Sequence, residues 1–200
     1  MQSIQQAPGL NLSIAKLSNL HKQMWAQFAL SQHKTAKFGL LLEDDALFVG
    51  DIRLRIETII NESLELPPGW MISLGGYDDV RDLSARRPTP GLIEQPITTA
   101  EGYLFDAESA SLRFQWFKET GVQASNDHSL RIANEVCGIK QYMVLDPLVY
   151  QGSVSGRFET TMDGSRAGKS QLFLKARFYW NAFRKRVIPR LISRLTRESP

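Results

Sequence analysis

The segment from Lys37 to Asp45, KFGLLLEDD, places three consecutive carboxylates directly after a short apolar run. The apolar run predicts a buried strand over residues 38–42, so the carboxylates stand where that strand meets solvent. Ligands commonly bind at the carboxyl ends of strands in open α/β sheets. Because hard oxygen ligands suit Mg²⁺ or Mn²⁺ and offset the repulsion between carboxylates, the triplet predicts a divalent cation site. The alternative is a solvated acidic turn that caps the next helix.

Helical and extended patterns alternate on both sides of this segment. Apolar spacing predicts an amphipathic helix over residues 11–32, and Asp51 and Asp106 are each placed to cap a further helix. A fourth helix is expected to begin at residues 125–128, and Gly121 is a plausible end signal for the helix before it. Extended segments are predicted over residues 70–74, 97–105 and 139–145. This alternation predicts an α/β domain of three layers with a mixed sheet.

The charge of the chain is divided unevenly along its length. Residues 1–163 hold 14 Lys and Arg and 20 Asp and Glu, whereas residues 164–197 hold ten Lys and Arg and no acid. We therefore predict an acidic globular domain over residues 11–156, a linker over 157–170 and a basic amphipathic helix over 171–198.

The basic segment carries an apolar stripe that includes Trp180 and Phe183, beside arginines at spacings of three or four. A basic amphipathic helix with aromatic residues suits an anionic membrane surface, so residues 172–197 are predicted to bind one. The alternative is a helix packed on its own domain with a solvated basic face. Nucleic acid is not expected as a partner, because the basic residues do not continue into the acidic body.

Size and composition favour a cytoplasmic protein of one domain with an appended tail. No apolar run approaches the ~20 residues that span a bilayer, and the N-terminal residues lack the pattern of a signal peptide. The single Cys137 excludes an internal disulfide, and we interpret it as a core residue before a strand. The expected location is therefore cytoplasmic, peripheral on the inner face of the membrane.

The sequence also resembles glycosyltransferase family 25, the lipooligosaccharide β-galactosyltransferases and their relatives. The resemblance covers about residues 15–156 and is strongest at residues 40–46, LLLEDDA, which look like the signature of the family. Further segments agree with the family in order, and together they carry the resemblance. They are His21 to Trp25, Ile72 to Gly75, Thr98 to Phe105, Asn126 to His128, and Pro147 to Gln151 with Ser153 and Ser155.

The resemblance implies a GT-A-like nucleotide-sugar transferase fold that binds its donor diphosphate through Mn²⁺ or Mg²⁺. It implies Asp45 as a metal ligand and Asp44 as a second ligand or a helix-side carboxylate. Glu43 would face the ribose or a metal-bound water, and Gln151 would belong to the donor site. Full members begin with a strand and helix that help to form the nucleotide pocket, so we expect a fold that is incomplete at its N-terminus.

Three further residues have both a functional and a structural interpretation. Asp127 is the candidate general base for the acceptor hydroxyl, or a cap of the helix that follows. His21 is a candidate contact to a donor phosphate, or a buried histidine with satisfied hydrogen bonds. Tyr103 is a candidate for stacking on the donor sugar or base, or an aromatic core residue of a strand.

The function expected from the resemblance is transfer of a hexose, with UDP-galactose as the expected donor. The acceptor would be a lipopolysaccharide, a lipooligosaccharide or a similar glycan or lipid-linked molecule. The alternative is a non-catalytic, truncated family member that acts as a membrane- or partner-binding module.

Overall fold

The computed structural model describes residues 14–75, 86–97, 101–122, 124 and 126–152, with isolated positions at 176, 180, 183 and 184. Side chains are not described at residues 14–19, 21, 126 and 127. The described elements alternate between helix and strand. The helices are α1 (Ile14–Gln32), α2 (Ile52–Ser63), α3 (Ala107–Thr120) and α4 (Asn126–Val136). The strands are β1 (Phe38–Leu42), β2 (Ala46–Phe48), β3 (Trp70–Ser73), β4 (Leu92–Glu94), β5 (Gly102–Asp106), β6 (Lys140–Val144) and β7 (Val149–Gln151).

The ends of two helices follow directly from single residues, as predicted. The Asp51 carboxylate accepts a hydrogen bond from the Leu54 backbone N–H at 3.2 Å and begins α2. The Asp106 carboxylate accepts one from the Ser109 N–H at 2.8 Å and begins α3. Gly121, at φ 71°, ends α3, because a residue without Cβ adopts this conformation readily.

The main sheet has five strands in the order β1-β5-β3-β6-β4. Strands β3 and β6 are parallel, whereas β5 runs antiparallel to both β1 and β3, and β4 runs antiparallel to β6. Strands β1, β3 and β6 therefore share one direction. The prediction of an α/β domain with a mixed sheet is confirmed.

Helices cover both faces of this sheet. On one face, Ile59 of α2 packs into a buried cluster with strand residues such as Ile72 and Leu104. On the other face, α1, α3 and α4 contribute Leu30, Ala110 and Leu130 to a second cluster around Met71, Tyr103 and Phe105. The two clusters alternate along β3 and β5, as the two-residue period of a strand requires.

One sequence-based prediction needs correction. The apolar run over residues 38–42 forms a strand, but β1 lies at the edge of the sheet and every one of its residues is at least partly exposed. Leu40 is 44% exposed. A short apolar run does not distinguish a central strand from an edge strand, because periodicity reports the faces of a strand and not its neighbours.

A buried arginine side chain links the three helices that cover one face of the sheet. Arg113 of α3 is fully buried, and its guanidinium donates to the side-chain oxygens of Gln27 in α1 at 3.1 Å and Asn134 in α4 at 3.0 Å. The guanidinium carbon also lies 5.3 Å from the centre of the Phe105 ring. Desolvation lowers the pKa of Arg113 to about 10, so the side chain stays protonated at neutral pH.

The predicted linker over residues 157–170 lies outside the described residues, as does most of the predicted helix over 171–198. Within that helix, positions 176, 180, 183 and 184 are described and all four are helical. The Trp180 and Phe183 rings stack with centroids 6.0 Å apart, and they are 61% and 48% exposed. In the part of the chain that the structure describes, no helix has the length and apolar character needed to cross a membrane.

Candidate functional site

The acidic triplet forms a tight turn at the end of β1. The Ala46 N–H donates to the Glu43 carbonyl at 3.1 Å, which closes the turn across Asp44 and Asp45. The Glu43 N–H donates to the Glu101 carbonyl at 3.1 Å, so the pairing of β1 with β5 continues one residue beyond the strand. Glu43 and Asp45 are partly buried, whereas Asp44 is exposed. These backbone hydrogen bonds therefore hold the three acidic residues at the carboxyl end of β1.

A two-stranded ribbon holds the far side of this turn. Strand β2, which follows the triplet directly, pairs antiparallel with β7, and Ala46 lies opposite Gln151. The Gly152 N–H donates to the Asp45 carbonyl at 2.7 Å, and the Gln151 side-chain amide lies 3.4 Å from the Glu43 carboxylate. The structure thus brings together Glu43 and Gln151, two residues that the sequence assigned to one site from positions 108 apart.

A further carboxylate at the same edge escaped the sequence analysis. Strands β1 and β3 end at this edge and β5 begins there, so Glu101 lies between the acidic turn and the end of β3. The Glu101 carboxylate occupies the space beside Gly75, where an added Cβ would lie 2.6 Å from Glu101 Oε2. Its position before a predicted strand was visible in the sequence, but the antiparallel insertion of β5 was not.

We call this region the carboxylate edge; it consists of residues 43–45, Gly75, Glu101 and Gln151. Its oxygen donors suit a hard cation such as Mg²⁺ or Mn²⁺. Among the described residues, no group of three or more Asp, Glu, His or Cys side chains converges closely enough to hold a metal ion. A Mg²⁺ ion commonly takes one or two carboxylates from a protein and completes its coordination with phosphate oxygens and water.

The backbone places His21 and Asp127 in the helical layer on one face of the sheet, and their side chains are not described. Helix α4 leads through Cys137 and Gly138 into the start of β6, which is far from the carboxylate edge. At about 1.5 Å per residue, Asp127 in the first turn of the 11-residue α4 lies ~14 Å along the helix from its C-terminus. His21 lies in α1, whose C-terminus likewise precedes the far end of β1.

Tyr103 lies in the core and not at the surface of the site. The side chain is fully buried, its ring centroid lies 5.6 Å from that of Phe105, and its hydroxyl donates to Gln23 Oε1 at 3.1 Å. This environment agrees with the interpretation of Tyr103 as an aromatic core residue. A ring buried in this way presents no face for stacking on a donor sugar or base.

Cys137 is partly buried, and its thiol lies 3.7 Å from the Leu112 carbonyl. Burial raises the pKa of this thiol, which suppresses the nucleophilic thiolate near neutral pH. This environment agrees with the interpretation of Cys137 as a packing residue before a strand.

The structure is that of an α/β protein with a mixed sheet, in which acidic residues gather at the carboxyl ends of β1 and β3. A comparison with models of known protein families matched none of them, and a comparison with curated proteins found no significant match.

Proposed function

We propose that this protein is a metal-dependent glycosyltransferase with a GT-A-like fold that transfers a hexose from a nucleotide sugar to a glycan or lipid-linked acceptor. The observation that carries the proposal is the contact between Gln151 and Glu43 at the end of β1, beside Asp45. It supports the resemblance to glycosyltransferase family 25, because the motifs at residues 40–46 and 147–151 meet at one edge of the sheet. UDP-galactose is the donor that this resemblance favours.

In this proposal the carboxylate edge binds the diphosphate of the donor. Asp45, with Asp44 as a second candidate, would hold a Mn²⁺ or Mg²⁺ ion that the donor phosphates share. The bound metal would act as a Lewis acid and stabilise charge on the departing diphosphate. Glu43 would accept hydrogen bonds from the ribose or from a metal-bound water, and Gln151 would orient that carboxylate.

Asp127 would act as the general base. The bond between the hexose C1 and the diphosphate oxygen breaks as the acceptor oxygen bonds to C1, and the acceptor proton passes to the Asp127 carboxylate. The products are the extended glycan and a nucleoside diphosphate. The support for this role is the resemblance of residues 126–128 to a site of the family, together with the position of Asp127 in the first turn of α4.

The experiment is a hydrolysis and transfer assay across a panel of nucleotide sugars, with Mn²⁺ or with EDTA, that detects the released nucleoside diphosphate. The expected result is release from UDP-galactose that requires Mn²⁺ and falls to background in the Asp45→Asn variant. No release from any donor, together with no binding of any donor, would favour the non-catalytic alternative.

The non-catalytic alternative is supported by a separate observation. Trp180 and Phe183 form a stacked and largely exposed aromatic pair in a segment whose charged residues are all basic. Such a segment would bind an anionic membrane without any need for catalysis. Under the leading proposal, the same segment would hold the enzyme at the inner face of the membrane, where lipid-linked acceptors lie.

A further inference from the structure

Within the part of the chain that the structure describes, strand β1 has one backbone edge that pairs with no other strand. The odd-numbered residues from Lys37 to Glu43 direct their backbone groups toward β5. At the two ends of this stretch, the Glu43 N–H donates to the Glu101 carbonyl, and the Lys37 carbonyl accepts from the Ala107 N–H. Hydrogen bonding alternates along an antiparallel strand, so the N–H and C=O groups of Phe38, Leu40 and Leu42 point away from β5. Among the described strands, none pairs with this side of β1.

The composition of β1 makes its exposure unusual. Its sequence, FGLLL, has no charge, no proline and no bulge, which are the common means of blocking an edge strand. Its side chains lie partly in the core, since Phe38 and Leu42 pack against the cluster of α2, but Leu40 between them is 44% exposed. An apolar edge of this kind favours pairing with another strand.

The opposite edge of the sheet is protected. Strand β4 is three residues long, and the Glu94 N–H donates to the Arg86 carbonyl at 2.7 Å. The Glu94 carboxylate also lies 3.7 Å from the Arg86 guanidinium and 3.9 Å from the Lys140 amine. Only one of the two edges therefore offers free apolar strand surface within the described residues.

We propose that β1 pairs antiparallel with β1 of a second copy of this chain, about a two-fold axis at Leu40, to form a continuous sheet across the dimer. An axis at Leu40 places Leu40 opposite its own copy and Phe38 opposite Leu42 of the second copy. These are the residues whose backbone groups point outward, so each pair exchanges both N–H···O=C bonds. The register suggested by the free backbone groups is thus self-complementary, as a two-fold interface requires.

The charged residues that flank β1 favour this register, and they favour a second copy of the chain as the partner. The same axis places Lys37 opposite Glu43 of the second copy, and the symmetry repeats the pair at the other end of the strand. Lys37 is exposed and Glu43 is partly buried. Opposite charges directly across a strand pair stabilise it, whereas like charges would destabilise it. The dimer also brings Lys37 of the second copy to each carboxylate edge. The proposed dimer does not depend on the proposed glycosyl transfer.

The first test is the molar mass of the full chain by size-exclusion chromatography with light scattering. The wild-type chain is expected at twice its mass of 22.6 kDa. Leu40→Lys places two positive charges on the axis and is expected to give monomer with little change in melting temperature, since Leu40 is 44% exposed. The matched control Leu54→Lys, at an exposed position of α2, should leave the dimer intact.

The second test addresses register. Lys37→Glu should dissociate the dimer, and the double variant Lys37→Glu/Glu43→Lys should restore it. Leu40→Cys should cross-link two chains on mild oxidation, because directly opposed residues of a hydrogen-bonded pair have Cα atoms ~5.5 Å apart, within disulfide range. Leu54→Cys should not cross-link. A monomeric wild-type chain would overturn the proposal, whether or not β1 then pairs with a strand of another protein. A dimer that survives both Leu40→Lys and Lys37→Glu would overturn it as well.

Discussion

At the scale of single residues, two glycines are required for different reasons. An added Cβ at Gly39 would lie 2.4 Å from Cζ of Phe105, whose ring is buried between β1 and the helices of one face. An added Cβ at Gly75 would lie 2.6 Å from Glu101 Oε2, which is the end of a flexible side chain. The first glycine therefore makes room for the core, and the second makes room for a carboxylate of the site.

Substitution by alanine is therefore expected to have different consequences at the two glycines. Gly39→Ala should destabilise the fold by about 1–3 kcal/mol, because the buried Phe105 ring must move. Gly75→Ala should change stability little but displace the Glu101 carboxylate, so it should weaken Mn²⁺-dependent donor binding. Chemical denaturation and calorimetry of both variants check this. Normal stability of Gly39→Ala, or normal donor binding by Gly75→Ala, would contradict the corresponding role.

Asp127 also belongs to the residue scale. Asp127→Asn should lower turnover by ~100-fold or more while donor affinity stays near the wild-type value, because a general base acts mainly on the transition state. Asp127 is the second residue of α4, and asparagine has nearly the same shape, so the melting temperature should barely change. The control is Glu135→Gln, an exposed carboxylate at the other end of α4. Normal turnover with a substantial loss of melting temperature would favour a purely structural role at the start of α4 instead.

At the scale of elements, helices were more predictable than strands. The starts of α2 and α3 and the end of α3 depend on Asp51, Asp106 and Gly121, each of which acts on a backbone only a few residues away. Strands β2, β4 and β7 were missed, because each has three residues and is defined by a distant partner. Three residues carry too little periodicity to indicate a strand.

The basic segment leads to a prediction about membrane binding. The full chain should sediment with anionic vesicles at low salt and less with added salt, because salt screens the attraction of ten basic side chains within residues 164–197. Removal of residues 170–200 should abolish the binding, and Trp180→Ala with Phe183→Ala should weaken it by removing inserted apolar area.

The chain offers a matched control for this prediction. Trp25 of α1 is 51% exposed and lies outside the basic segment, so Trp25→Ala should leave sedimentation unchanged. Equal sedimentation of the truncated and full-length chains would contradict membrane binding by this segment. Unfolding of the truncated chain would show that the segment belongs to the core.

At the scale of the whole molecule, the sequence was sufficient for the fold class but not for the order of the strands. Alternating helices and strands indicated an α/β domain with a mixed sheet, which the structure confirms. The insertion of β5 between β1 and β3 depends on pairings such as Leu40 with Leu104, which local patterns do not encode. Glu43 and Gln151 were predicted as site residues from the family resemblance, whereas Glu101, which reaches the acidic turn only through that insertion, was missed.

The central claim is that the carboxylate edge binds a nucleotide diphosphate through a divalent metal. Calorimetric titration of the full chain with UDP-galactose, in Mn²⁺ and in EDTA, tests it most directly. We predict binding that requires Mn²⁺, is abolished by Asp45→Asn, and is retained by Asp51→Asn, an exposed carboxylate that caps α2. Nucleotide binding that is unchanged by Asp45→Asn, or no metal-dependent binding by the wild-type chain, would contradict the claim.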